Sequence, residues 1–133
     1  MSPASAPIEY SGDISSLHGL KFGGVRGHNY PGINEAVDAG QIKRQDAQDI
    51  EANLQKLAAG RIDFSSAANS AARFLVNQMG LSDKVHFSAK PHTQYDRRML
   101  MMKALPEVRD FLATVVDAMP QDAEWQAIVA KYH

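Results

Sequence analysis

The chain has 133 residues, a formal net charge of -1 with acidic and basic side chains interspersed, and no cysteine. The lack of cysteine excludes disulfides, thiolate metal sites and cysteine nucleophiles. The balanced charge argues against nucleic acid and anionic membranes as partners. No apolar run reaches the roughly 18 residues of a membrane-spanning helix, so we expect no membrane insertion.

The first part of the chain predicts a linker followed by a strand and a short helix. Residues 1–14 are rich in proline and small polar side chains, which is typical of a tail or linker. Apolar bulk over residues 20–25 predicts a strand. Pro31 and Gly40 bracket a short helix, because proline suits a first helical position and glycine provides a left-handed stop. Residues 41–45 predict at best an edge strand.

Two more helix and strand pairs follow. Helical spacing of apolar side chains predicts a helix that is capped by Asp46 or Asp49 and continues to about residue 59, and a second helix from about residue 65 to residue 79, each followed by a glycine. Residues 61–64 and 84–87 have strand character. This alternation predicts an α/β fold with a mixed, mostly parallel sheet flanked by helices.

The C-terminal part predicts one more strand and two helices. Residues 95–102 form an extended run, and we expect a buried strand core for its methionines, Met99, Met101 and Met102. An amphipathic helix begins at Pro106 and has the most regular apolar spacing in the chain. A last helix carries Trp125 on its apolar side. Both helices need a surface to pack against.

The main candidate for a site is the turn between the first strand and the first helix, which contains Arg26, Gly27, His28, Asn29 and Tyr30. Backbone N–H groups at a helix start have no partner within the helix and can bind a carboxylate, with Arg26 or His28 adding a donor. An ordinary turn explains the same residues, and this alternative stays open. One helix end contributes about 0.3–1 kcal/mol, so one turn alone cannot bind a small ligand tightly.

Other chemistry has little support in the sequence. The five histidines show neither the HExxH motif nor i, i+4 pairing. No nucleophile elbow, phosphate loop or pair of carboxylates on one helix face is present. We therefore expect no enzyme activity, no metal and no cofactor. His92 and Tyr95 are expected on the surface of a crossover, and residues 96–98 in a solvated charge run.

Three segments in register carry a family resemblance. They read LKFGGVRG over residues 20–27, NLQKLAAGRID over residues 53–63 and DAEWQAIVAKY over residues 122–132. They resemble the LKGKRVGVVRG opening of the second lobe, the NLxKLxAGRID segment and the final DGEYQAILxKY helix of bacterial extracellular solute-binding proteins of family 3. These are the polar amino-acid-binding receptors of ABC transporters, which hold a ligand between two lobes.

The resemblance implies a division of the chain. Residues 15–88 correspond to the second lobe, residues 89–94 to the return crossing, and residues 95–133 to a strand and helices that complete the first lobe. The chain would then be a half-length receptor. The implied location is the periplasm, although the sequence as written shows no secretory signal and would remain in the cytoplasm if encoded in this form.

The resemblance also implies a ligand site for a small polar, amino-acid-like molecule. In the family, the glycine of the turn precedes Thr or Ser, whose hydroxyl and N–H bind the ligand carboxylate; here Gly27 precedes His28 and Asn29. The family also places an aspartate beyond the GRID motif to hold the ligand ammonium, and here Asn69 is the nearest substitute. These departures predict weak or vestigial binding.

Two expectations about partners follow. The apolar faces of the C-terminal helices predict either that these helices fold back onto the preceding lobe or that two chains form a homodimer, through these helices or by a segment swap. The alternative function is an α/β protein-interaction module on the same fold that no longer binds a small molecule.

Overall fold

A computed structural model describes residues 1–96 and 98–132 and divides into two compact units, Met1–Thr93 (unit 1) and Gln94–His133 (unit 2). Arg97, from the predicted charge run, and His133 lie outside the described residues. Unit 1 contains, in chain order, β1 (Ser2–Pro3), a 3-10 turn (Ile14–Leu17), β2 (Lys21–Val25), α1 (Ile33–Asp38), β3 (Lys43–Ala47), α2 (Ile50–Ala58), β4 (Phe64–Ser65), α3 (Asn69–Gln78) and β5 (Val85–His86).

The main sheet of unit 1 is parallel, in the order β3-β2-β4. Strand β2 lies at the centre, with Phe22 in register with Arg44 on one side and Phe64 on the other. As predicted, β3 is an edge strand of this sheet. The prediction of a sheet flanked by helices is confirmed.

Helices α1 and α2 pack on opposite faces of this sheet. Phe22 and Phe64 form a buried cluster with Ile33 of α1. The next position, Gly23, points the other way, since a Cβ there would lie 2.2 Å from Ile62 Cδ1 and 2.7 Å from Asn53 Oδ1 of α2. Phe22 and Gly23 differ in this way because successive residues of a strand face opposite sides of the sheet. A second buried cluster covers the α2 side and consists of Leu54, Leu57, Ile62, Val76 and Val85.

The three helices of unit 1 end in the same way, which confirms the predicted helix stops. Gly40, Gly60 and Gly80 have φ of 71, 65 and 65°. In each case the residue after the glycine donates its N–H to a carbonyl five residues earlier, at 2.8–2.9 Å. This pairing satisfies carbonyls that the helix leaves open. At the other end of α1, helix geometry begins at Ile33 after Gly32, two residues later than the predicted start at Pro31.

Residues 1–14 are not the tail or linker that their composition predicts. Strand β1 pairs antiparallel with β5, Ser2 is 1% exposed, and Ser2 Oγ accepts the N–H of Ile8 at 2.9 Å. Met1 exchanges two backbone hydrogen bonds with Ser65. Composition indicates local flexibility, but it carries no information about a pairing between residues more than 60 positions apart.

Glu9 joins the N-terminal segment to the residues around β5. Its carboxylate accepts hydrogen bonds from the N–H of Ala89 and the hydroxyl of Ser88, both at 3.0 Å, and lies 2.6 Å from His86 Nε2. These contacts, the Ala89 N–H first, hold the pKa of Glu9 below its usual value. The Nζ of Lys90 donates to Ser11 O at 2.8 Å. Residues 9–11 therefore lie alongside residues 86–90.

Unit 2 contains α4 (Pro106–Ala118), a 3-10 turn (Met119–Gln121), α5 (Ala123–Val129) and a second 3-10 turn (Ala130–Tyr132). Pro106 begins α4, as predicted. Asp122 caps α5 by accepting the N–H of Trp125 at 2.7 Å. Among residues 1–96 and 98–132, no helix is long and apolar enough to span a bilayer.

The predicted strand over residues 95–102 is absent from the described part of that run, residues 95–96 and 98–102. The predicted buried methionine core is also wrong, because Met99 and Met102 are 62% and 70% exposed and Met101 is half-buried. An extended run buries its side chains only when a sheet covers it, and no strand of the described chain pairs with this one.

Candidate functional site

The candidate site residues follow strands that end at the same edge of the main sheet. Because β2, β3 and β4 are parallel, their carboxyl ends lie together. The turn of residues 26–30 follows β2, and Asn69 begins α3 shortly after β4. Ligands of open α/β sheets bind at this edge. The fold therefore places the turn of residues 26–30 and the start of α3 at the edge of the sheet where a ligand site is expected.

The turn of residues 26–30 is fixed by backbone hydrogen bonds. The N–H of Arg26 donates to Ala47 O at 2.9 Å, which ties the start of the turn to the end of β3. The N–H of His28 donates to Val25 O at 3.0 Å. Gly27 between them has a φ of 79°, a conformation that a residue with a Cβ adopts at a cost. The glycine is thus needed for the tight reversal.

Arg44 of β3 holds the same turn from one side. Its guanidinium donates to the backbone oxygens of Val25 at 3.3 Å and His28 at 3.1 Å. It also donates to Asp46 Oδ1 at 2.7 Å and Asn34 Oδ1 at 2.9 Å. We call Arg44, Asp46 and Asn34 the Arg44 cluster. The guanidinium of Arg44 thereby joins β3, α1 and the turn.

The Arg44 cluster also sets the direction of a backbone donor. A trans peptide points its C=O and the next N–H in opposite directions, and the described chain has no cis peptide. Because the carbonyl of His28 points at Arg44, the N–H of Asn29 points away from it. This N–H has no acceptor among the described residues. The turn therefore presents a free N–H on the side away from Arg44.

Gly24 makes room for the cluster. A Cβ at Gly24 would lie 2.8 Å from Asp46 Oδ1 and 3.0 Å from Arg44 Nε, both closer than ordinary van der Waals contact. The two adjacent glycines of β2 thus serve opposite faces, because Gly23 admits Asn53 and Ile62 of the α2 side. The sequence signals close backbone approach here, but it does not reveal which side chains approach.

Two charged or polar side chains of the turn form no hydrogen bond within the described chain, although the ring of His28 lies 6.3 Å from the ring of Tyr30. Arg26 and His28 are exposed, and neither side chain forms a hydrogen bond or ion pair with a described residue. The side chain of Asn29 is exposed as well and accepts a hydrogen bond from Asn34 Nδ2. Arg26, His28 and Asn29 are therefore accessible to a ligand carboxylate.

Tyr30 has a different position from the other predicted residues. It is 8% exposed, its hydroxyl accepts the buried N–H of Val25 at 2.9 Å, and its ring packs edge-on against Phe22 at 4.8 Å between centroids. The guanidinium of Arg44 lies 5.4 Å from the centre of the same ring. In this structure Tyr30 is part of the core beneath the turn.

Asn69 is exposed at the first position of α3. Its Oδ1 accepts a hydrogen bond from Arg73 Nε at 3.1 Å. The preceding residue, Ala68, provides no side-chain cap, so the first N–H groups of α3 have no hydrogen-bond acceptor from a capping side chain. No hydrogen bond joins Asn69 to the turn of residues 26–30 in the described chain.

Sequence reasoning missed the polar residues that support the turn from the two faces of β2. Besides the Arg44 cluster, Asn53 of α2 is 1% exposed and donates from Nδ2 to Gly24 O at 2.9 Å. Its Oδ1 has no hydrogen-bond partner. The sequence carries little signal for them, because the predicted edge strand ends at residue 45 and Asp46 is a candidate cap of the following helix, whereas in the structure Arg44 and Asp46 lie two positions apart on one face of β3.

The described residues contain no group of three or more His, Asp or Glu side chains that could hold a metal ion. His92, expected on the crossover surface, is half-buried; its Nε2 lies 2.9 Å from Pro31 O and its ring packs edge-on against Tyr10. His92 therefore contacts the segment that leads into α1.

No protein-family model matches this chain, and neither does any curated protein sequence. Among solved structures, the chain is similar to an ancestral arginine-binding protein bound to arginine, with a TM-score of 0.59 and 17% sequence identity. The match covers 98% of this chain and 57% of that protein, so the chain spans little more than half of its length. At this identity the likeness concerns the fold alone, and the chain has a periplasmic-binding-protein-like α/β fold with a parallel sheet flanked by helices.

Proposed function

We propose that this chain is a half-length solute-binding protein that binds a small polar, amino-acid-like ligand weakly at the carboxyl edge of the main sheet. One observation carries the proposal: the His28 carbonyl accepts a hydrogen bond from Arg44, so the N–H of Asn29 points away from Arg44, and the side chains of Arg26 and His28 beside it are exposed. This arrangement suits a carboxylate, which accepts hydrogen bonds from backbone N–H groups and cations.

The donor set also explains why binding would be weak. A hydrogen bond to a charged group contributes about 1.5–3 kcal/mol, whereas micromolar affinity requires about 8 kcal/mol after the costs of association. At the other end of the ligand, neutral Asn69 would meet the ammonium, and its Oδ1 already accepts from Arg73. We expect dissociation constants in the millimolar range.

The division into lobes belongs to the same proposal. Residues 15–88 would form the second lobe of a family 3 receptor, and residues 95–133 a part of the first. In support, residues 9–11 lie alongside residues 86–90, so the segments that lead into and out of this lobe are neighbours. A periplasmic location and an ABC transporter as partner would accompany this role.

Calorimetry with a panel of polar amino acids that includes arginine tests the function. The proposal predicts millimolar or tighter binding that is lost in Asn29→Ala and Asn69→Ala. Asn77→Ala is the matched control, because Asn77 is exposed near the opposite end of α3. No heat across the panel, or heat unchanged in both variants, would contradict the proposal.

A second candidate is the protein-interaction module, and one observation favours it. Helices α4 and α5 have no buried residue, although both carry large apolar side chains. This candidate would be supported if no amino acid of the panel gave a heat of binding and the chain associated with itself or bound a protein partner.

A further inference from the structure

Arg73 holds the side-chain amide of Asn69 in an orientation that offers a donor to a ligand. Its Nε donates to Asn69 Oδ1 at 3.1 Å. Because a guanidinium has donors only, the oxygen of the amide faces Arg73 and the NH₂ group points away from it. This NH₂ group forms no hydrogen bond with the described residues, and the side chain of Asn69 is exposed. Asn69 therefore suits a ligand atom that accepts a hydrogen bond.

The charge of Arg73 is not neutralised by a carboxylate of the described chain. Its guanidinium carbon lies 4.4 Å from the centre of the Phe87 ring, a contact that holds the cation in place without cancelling its charge. Arg73 forms no ion pair with a described residue. An ammonium bound to Asn69 Oδ1 would share this oxygen with the guanidinium, and like charges at such a separation repel each other. The start of α3 is thus a poor place for a ligand ammonium.

The start of α3 and the turn of residues 26–30 leave the sheet side by side, because β2 and β4 are neighbouring parallel strands with Gly23 in register with Ser65. The turn also offers donors, namely the N–H of Asn29 and the exposed guanidinium of Arg26. A ligand between the two segments would therefore meet a cation and a hydrogen-bond donor at each end.

Carboxylates are absent from both of these segments. Residues 25–32 and 65–73 contain neither Asp nor Glu. The acidic residues that lie at the carboxyl end of β3 have other partners, since Asp46 pairs with Arg44 at 2.7 Å and Asp49 caps α2. Strand β3 also lies on the opposite side of β2 from β4. The space between the turn and the start of α3 is therefore suited to negative charge at both ends.

We propose, on the basis of the function proposed above, that the site takes a small dicarboxylate, with one carboxylate at the turn and the second at Asn69 and Arg73. The second carboxylate accepts a hydrogen bond from the NH₂ group of Asn69 and is attracted by the guanidinium of Arg73. It takes the position assigned above to a ligand ammonium. An acidic amino acid then binds through its two carboxylates, and a diacid without an ammonium binds equally well.

Calorimetry with glutamate, glutarate, glutamine and arginine tests the inference. Glutamine has the shape of glutamate and lacks the charge of the second carboxylate. We expect glutamate and glutarate to bind about tenfold more tightly than glutamine and arginine, because hydrogen bonds to a charged group are about twice as strong as neutral ones. Glutamine or arginine binding as tightly as glutamate would overturn this inference and leave the proposed function intact. No heat from any of the four ligands would overturn both.

Two variants assign the preference to individual residues. Arg73→Gln removes the cation, and Asn69→Asp places a carboxylate of the same size as the amide opposite the second carboxylate of the ligand. Both variants should lose most of the preference for glutamate over glutamine. Arg61→Gln, the matched control, removes an exposed arginine that precedes β4 and should retain the preference. An unchanged preference in Arg73→Gln and Asn69→Asp would overturn the assignment.

Discussion

The hydroxyl of Tyr30 accepts the backbone N–H of Val25 at 2.9 Å, across the turn that carries the candidate site. Val25 ends the central strand and is 8% exposed, so its N–H has no access to bulk water. The bond ties the last residue of β2 to the residue that leads into α1. A core side chain thereby closes the turn from beneath, while Arg26 and His28 remain exposed.

Removing this hydroxyl should destabilise unit 1. In Tyr30→Phe the ring still packs on Phe22, but the N–H of Val25 loses its acceptor, which costs about 1–3 kcal/mol for a buried group. Urea unfolding measures the change. Tyr95→Phe, at a tyrosine that is 67% exposed, is the control and should lie within about 0.5 kcal/mol of the parent. Equal stability of the two variants would show that the hydrogen bond contributes nothing.

A methyl group at Gly24 should disturb the Arg44 cluster. Its Cβ would lie 2.8 Å from Asp46 Oδ1, and overpacking of this kind costs about 1–3 kcal/mol. The cost should be smaller in the background of Asp46→Ala, because the nearest atom is then absent. A double-mutant cycle by urea unfolding measures the difference. Strict additivity of Gly24→Ala and Asp46→Ala would refute the assigned contact.

The helix stop at Gly60 predicts a graded effect of substitution. With a φ of 65°, alanine at this position should cost about 1–2 kcal/mol. Asparagine tolerates the left-handed conformation better and should cost less. No atom lies within 4 Å of the added Cβ, so the difference reports on backbone strain and not on packing. Thermal unfolding should rank the variants Gly, Asn, Ala from most to least stable.

Glu9 should make stability fall at acidic pH. Hydrogen bonds from Ala89, Ser88 and His86 lower its pKa in the folded chain below the ordinary value of 4.5. A carboxyl with a lowered folded pKa stabilises the fold above its unfolded pKa, and this contribution is lost as pH falls through the folded pKa. The loss therefore begins near pH 4.5 and continues below it.

Glu9→Gln should remove this part of the pH dependence. Urea unfolding at pH 6 and pH 3 should show a smaller difference in the variant than in the parent chain. Glu51→Gln, which replaces an exposed glutamate on α2, should retain the parent difference. If Glu9→Gln also retained it, the contacts at Glu9 would not be coupled to folding.

Elements with local signals were predictable. The helices end at Gly40, Gly60 and Gly80 because glycine adopts the left-handed backbone conformation of a helix end without steric cost. Asp49 caps α2 through the N–H of Ala52, and Pro106 begins α4. In each case the determining interaction spans at most five residues, so the sequence alone contains it.

Features that depend on distant partners were not predictable. Strand β1 exists because β5 pairs with it, although its own composition is typical of a linker. Tyr30 has the chemistry of a ligand contact, but its hydroxyl points to Val25. Arg44 contacts residues on β2, the turn and α1, and a single sequence does not reveal this convergence. The turn that carries the candidate site was evident in the sequence, whereas the residues that support the turn required the structure.

Backbone NMR during titration with arginine tests the central claim most directly, namely that the turn of residues 26–30 contacts ligand. We predict that the amide signals of Arg26, His28 and Asn29 shift together and saturate in the millimolar range. In Arg44→Lys the shifts should be reduced, because lysine lacks the planar fork with which Arg44 contacts the His28 carbonyl, Asp46 and Asn34 at the same time. Arg61→Lys, at an exposed position, should behave like the parent. Unchanged turn amides up to the solubility of the ligand, or shifts confined to another part of the chain, would contradict the account.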